Sequence, residues 1–231
     1  IAASLWPDGF RTSWSFVQGP ENHDLVLSDR DQRIPRLADP SNPRSWYARS
    51  RSRVATGLGL TAPGIPMLFM GQEFLEDKQW SDNLANRAEL RLFWAGLEAP
   101  DSAMRDHLRF TRELIRLRWS QPALRGEGFR VVHVHDADRV LATHRWVVGE
   151  GHDLMVVLSL ANENRYGYRI GFPEEGRWAE LFNSDVYDGW VNPHATGNGG
   201  SANAERIPLH GFECSAALTL PANALLVFGR S

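Results

Sequence analysis

The hydrophobic period of this chain changes between Gln121-Pro122 and Gly128, and that change constrains its architecture more than any other feature. Beyond it, residues 129–134, 139–148, 153–161, 168–172, 177–182, 205–209, 216–220 and 224–228 read as short strands of period two. Turn clusters such as Asp136-Ala-Asp138 and Pro221-Ala-Asn223 separate them. Many short strands without helices predict an antiparallel β-sandwich for residues 126–231. The Gly/Asn-rich stretch 192–203 is expected to be its irregular loop.

Residues 1–125 follow a different rule. An apolar run over 14–19 stops at Gly19-Pro20 and reads as a strand, with Glu21, Asn22, His23 and Asp24 at its exit. A polar loop fills 25–42. Asn42-Pro43 then supplies an N-cap and a first-turn proline for a helix ending near Leu60, before Pro63-Gly64. Residues 65–70 are a continuous apolar run, the pattern of a strand buried on both faces. Strand, helix, strand at this spacing is a βαβ unit with parallel strands. A second loop, 71–88, carries Gln72, Glu73, Glu76, Asp77 and Trp80. Met104, Leu108, Leu114, Ile115 and Leu117 give 102–119 the stripe of an amphipathic helix.

A net charge of −3 argues against nucleic acid or an anionic membrane as partner. The single Cys214 excludes an internal disulfide and suits a cytoplasmic protein. No stretch is apolar for the length of a membrane span. Arginines from Arg30 to Arg53 alternate with Asp29, Asp31 and Asp39 and are expected to form a solvated face. His133 and His135 are spaced two apart, with His144 on the next strand; a metal is conceivable, but a wet strand face is the expected reading. No cofactor fingerprint and no metal site is expected.

Val17-Gln-Gly-Pro-Glu-Asn-His-Asp24 resembles the fourth conserved motif of the α-amylase superfamily, glycoside hydrolase family thirteen, at the end of barrel strand seven. Residues 61–74 resemble strand eight and its exit, and the 102–119 helix followed by Pro122-Ala-Leu124 resembles the last barrel helix. Leu181-Phe-Asn-Ser-Asp185 is similar to the family's C-terminal β-domain. Met70-Gly-Gln-Glu-Phe74 with Trp80, together with Asn183-Ser-Asp185, is most similar to α-1,4-glucan branching enzymes.

The resemblance implies the C-terminal portion of a (β/α)8 barrel, strands seven and eight with their helices, over 1–125, then the sandwich. It implies that Asp24 steadies an oxocarbenium-like transition state and that His23 hydrogen-bonds the same sugar. Asn22 would contact substrate; with Glu21 it would orient the rim or form a structural turn. Glu73 would meet substrate or a loop partner, and Trp80 would stack a glucose ring or pin the loop.

The family's nucleophile and acid/base carboxylates lie on strands four and five, for which these residues have no counterpart. Asp8-Gly-Phe-Arg11 imitates the nucleophile motif, but Ser13 stands where the carboxylate belongs. The expected activity is therefore glucan branching, with an N-terminal segment or second chain completing the barrel. An α-amylase-type hydrolase or a non-catalytic carbohydrate-binding fragment are the alternatives.

Overall fold

The computed structural model describes residues 1–230 except 84, 86, 99 and 100, and leaves the side chains of 87 and 88 aside. Part of the expected 71–88 loop thus lies outside the described residues.

The C-terminal region is all-β. Eight strands run β3 (Gly128–His135), β4 (Val140–Val147), β5 (Gly151–Ser159), β6 (Arg165–Phe172), β7 (Gly176–Asn183), β8 (Ser201–Ala204), β9 (Cys214–Leu220) and β10 (Ala224–Gly229). They form an antiparallel six-stranded sheet, β3-β4-β5-β10-β7-β8, and a two-stranded sheet, β6-β9. Two of the expected boundaries are corrected. Residues 205–209 are not a strand: Pro208 removes a ladder donor, and only bridges at Glu205–Ser215 and Leu209–Phe212 remain. The expected loop 192–203 instead ends in β8, an edge strand whose small residues Ser-Ala-Asn-Ala give no hydrophobic alternation to detect.

The period of two holds in the central strands, but both faces are apolar. Leu154, Val156 and Leu158 of β5 and Leu225 and Val227 of β10 point to one core, with Val54, Leu60, Phe110, Leu114 and Leu124. Met155, Val157, Leu226 and Phe228 point to the other, with Ile170, Phe172, Trp178 and Leu218. The six-stranded sheet is thus a middle layer, helices on one side and β6-β9 on the other. Each such buried side chain contributes about 1.5–3 kcal/mol of transfer free energy.

The helical side comprises α1 (Ile34–Ala38), α2 (Trp46–Thr61), two single turns α3 (Arg87–Leu90) and α4 (Ala95–Glu98), and α5 (Ser102–Ser120). The loop expected over 25–42 therefore contains a short helix. Helix α2 starts later than Asn42-Pro43 suggests. Its N-cap is Ser45, whose Oγ accepts the Ala48 N–H at 3.2 Å, while Asn42 closes the preceding turn by accepting the Arg44 N–H at 3.0 Å. Asp101 caps α5 through the Met104 N–H. None of the helices is long and apolar enough to cross a membrane, among the described residues.

Strands β1 (Val17–Gln18) and β2 (Ile65–Pro66) pair in parallel across α2. Both are shorter than the apolar runs 14–19 and 65–70. Glu127 accepts bonds from the Ser13 N–H and hydroxyl at 2.8 and 2.7 Å, holding Ser13–Ser15 in a 3-10 turn. Nor is the second run buried on both faces: Ile65 and Met70 are 48% and 45% exposed, and Val17 on β1 is 59% exposed, because β1 and β2 have no strand beyond each other among the described residues.

Arg145 joins the two regions. It lies on β4 with no exposure and donates to the carbonyls of Thr61, Leu124, Gly126 and Gly128.

Candidate active site

Gly19 makes the approach of β1 to β2 possible: a Cβ there would lie 2.6 Å from the Met67 carbonyl oxygen. Only the hydrogen of glycine fits at that crossing. The chain then turns sharply. Asn22 Oδ1 accepts the N–H groups of both Asp24 and Leu25 at 2.9 Å, and the Asn22 carbonyl accepts the Val26 N–H at 3.2 Å. This side-chain-to-backbone turn is what Asn forms readily. It leaves His23 and Asp24 side by side, 65% and 74% exposed, with His23 Nε2 3.4 Å from Asp24 Oδ1. Asn22, proposed from sequence to contact substrate, has its side-chain oxygen committed to the turn.

Trp80 closes the other side. Its indole N–H donates to the His23 carbonyl at 2.7 Å, and its backbone N–H donates to the Val26 carbonyl at 3.1 Å. The ring stands edge-on to His23 at 6.3 Å and to Phe69 at 6.1 Å. Next to it, the Gln79 amide donates to the carbonyls of Leu27, Arg30 and Asp31. Trp80 thus pins the rim turn to the exit of β2. Glu73 lies half-buried on the 3-10 turn Gln72–Phe74 at that exit.

Beneath the turn lie charges that sequence reasoning misplaced. Arg33 and Arg53, expected on a solvated face, are 1% and 2% exposed. Arg53 faces Asp188 at 3.6 Å, and Arg36 and Arg44 pair with Asp77 at 2.7 and 3.1 Å. Glu21 is 2% exposed, and burial raises its pKa against the opposing pull of Arg33. Glu76, 1% exposed, accepts the N–H groups of Asp77, Lys78 and Phe93. The alternation of Arg with Asp in 29–39 looks like a wet surface in sequence. Only tertiary contacts reveal which arginines turn inward.

Of the paired histidines, His135 is exposed and His133 is half-buried, bonded to the Tyr168 hydroxyl at 2.9 Å; His144 on the next strand is 9% exposed and hydrogen-bonded to Asp153. Among the described residues no group of three or more His, Cys, Asp or Glu is placed to hold a metal.

In chemical terms the turn offers an exposed carboxylate beside an imidazole, its backbone held by the Asn22 side chain and the Trp80 indole. Such a pair can accept hydrogen bonds from sugar hydroxyls and place negative charge near a developing cation.

Comparison with known proteins gives this arrangement a context. The family described as alpha amylase, C-terminal all-beta domain matches residues 131–231. A 1,4-alpha-glucan branching enzyme of Paramagnetospirillum magneticum is 34% identical over 91% of this chain and 27% of its own length. One from Aquifex aeolicus is 30% identical over 96% of this chain and 33% of its own. The chain therefore spans about a third or less of these curated relatives. A pullulanase from an Anoxybacillus species, complexed with maltotetraose, aligns over 96% of this chain and 29% of its own at TM-score 0.63 and 19% identity. An α-amylase from H. orenii aligns over 93% of this chain and 40% of its own at TM-score 0.57 and 18% identity. At such identities the structures speak for shared fold alone. Residues 131–231 match the α-amylase C-terminal all-β domain family, and along its length the chain is similar to the C-terminal part of 1,4-α-glucan branching enzymes.

Proposed function

We propose that this chain is part of a retaining α-1,4-glucan branching enzyme, which cleaves an α-1,4 linkage, holds a glycosyl-enzyme intermediate and passes the chain to a 6-hydroxyl. Asp24 stabilises the positive charge that develops at the anomeric carbon, and His23 hydrogen-bonds the same sugar. Asn22 acts by fixing the turn, Trp80 by clasping it, and Glu73 faces the substrate from the neighbouring exit. The nucleophile and the acid/base belong to strands outside these residues.

The observation that carries this reading is the Asn22 turn, which presents His23 and Asp24 together to solvent at the exit of β1, beside the exit of a parallel strand. Strand C-terminal ends are where α/β barrels keep their chemistry. Residues 1–125 are then the last quarter of a (β/α)8 barrel, completed by a preceding segment or a second chain, and 126–231 its β-domain. The exposed apolar residues Val17, Ile65 and Met70 support that completion, since they sit where adjoining strands would cover them. The lone free Cys214 fits a cytoplasmic location.

Incubation of the full-length protein with amylose, followed by iodine staining and linkage analysis, tests the activity. New 1,6 branches are expected. Reducing ends without branches mean hydrolysis, and glucan retention without turnover means a binding role; either result overturns the proposal.

A further inference from the structure

Glu21 stands two residues before His23, and its carboxylate joins three segments of chain. Glu21 Oε1 accepts the Ile34 N–H at 2.8 Å, the first helical N–H of α1, where Pro35 follows with none to offer. Glu21 Oε2 lies 3.6 Å from Arg33 Nε. Arg33 in turn donates from Nη2 to the Met70 carbonyl at 2.7 Å and lies over the Phe69 ring at 5.1 Å. The exit of β1, the start of α1 and the exit of β2 therefore meet at one carboxylate–guanidinium pair, each member at most 2% exposed.

The neighbouring charges leave this pair to itself. Glu76, which also faces Glu21, is occupied by three backbone N–H groups, and Arg36 and Arg44 are occupied by Asp77. Two desolvated charges contribute little net stability compared with an apolar pair of the same volume. Direction comes from the bonds each partner makes to backbone, Glu21 to the Ile34 N–H and Arg33 to the Met70 carbonyl, while the 3.6 Å charge contact, with no hydrogen bond across it, holds the two together.

We propose that Glu21 and Arg33 are positioning residues, a buried ion pair that fixes the turn bearing His23 and Asp24 against the exit of β2. The structural part stands on geometry alone; its effect on turnover rests on the function proposed above.

The test uses the full-length protein with Glu21→Gln, Arg33→Met and the double variant. Each single variant strands a buried charge and should lower Tm by more than about 5 °C, whereas the double, with both charges gone, should recover most of that loss. Hydrogen exchange then separates positioning from bulk stability. In the double variant the amides of Asp24, Leu25 and Val26 are expected to exchange at least tenfold faster, with β5 unchanged, and kcat to fall at least tenfold at a KM within twofold. Arg33→Lys, which keeps the charge, is the milder variant and should speed the same amides about threefold.

Wild-type exchange at these amides in both the double variant and Arg33→Lys overturns the proposal. Faster exchange combined with normal turnover by Asp24→Asn upholds the positioning role and overturns the catalytic reading of Asp24 instead.

Discussion

The two regions of this molecule bury opposite kinds of residue. In the β-domain, β5 and β10 bury apolar side chains on both faces, between the helices and the β6-β9 sheet. Around β1 and β2, the apolar residues Val17, Ile65 and Met70 face outward, while Glu21, Arg33, Arg53 and Glu76 lie inside. Apolar burial stabilises without direction, whereas buried charge stabilises little and orients strongly. The contrast separates a region that secures the fold from one that holds chemical groups in place.

The contrast is tested most severely at Arg145, the charge that serves the fold. Arg145→Met leaves four carbonyls without their donor and should destabilise by about 3–5 kcal/mol, read by urea unfolding. A loss below about 1 kcal/mol would mean that the junction is held by apolar contact alone.

Ile65 separates the outward apolar face from the inward one. Ile65→Ser should change the stability of the isolated residues 1–231 by less than about 0.5 kcal/mol, since the side chain is already half in water. In the barrel completed as proposed, with neighbouring strands over β2, about 2–4 kcal/mol is expected. Equal small effects in both would deny that further strands cover β2.

His107 makes the helical side sensitive to acid. It is 2% exposed, and burial, aided by Arg53, lowers its pKa from 6.5 to about 3. The unfolded chain therefore binds a proton that the folded one refuses between those values. Its contribution to stability is complete above pH 6.5 and is lost as pH falls, by up to about 1.4 kcal/mol per pH unit, or about 2 kcal/mol at pH 5. His107→Phe should flatten that slope in a series of urea titrations. An unchanged slope would place the acid sensitivity elsewhere.

The smallest effect concerns the start of α2. Ser45→Ala should cost about 1 kcal/mol by loss of the cap, measured by thermal unfolding, and Asn42→Ala less than that. The reverse order would restore the N-cap to Asn42.

These positions also mark how far the sequence could be read. Apolar periodicity located β3 to β7, β9, β10, α2 and α5, because each presents at least one long apolar face to a neighbour. The motif at Asn22-His23-Asp24 pointed to the rim for the same local reason: turn chemistry lies within a few residues. β8 was hidden because its residues are small and lie at an edge. The inward turn of Arg33 and Arg53 was hidden because the partners that draw them in lie far away in sequence: Met70 for one, Asp188 for the other. The outward faces of Ile65 and Met70 are not legible because an apolar run by itself does not say what packs on each side of it.

If Asp24 meets the sugar as charge develops, the rate of Asp24→Asn in the full-length protein must show it. Since the side chain is 74% exposed, its replacement should leave stability within about 0.5 kcal/mol of wild type. Branching kcat should fall about a hundredfold or more, with glucan still bound. Turnover within a few fold of wild type would contradict it.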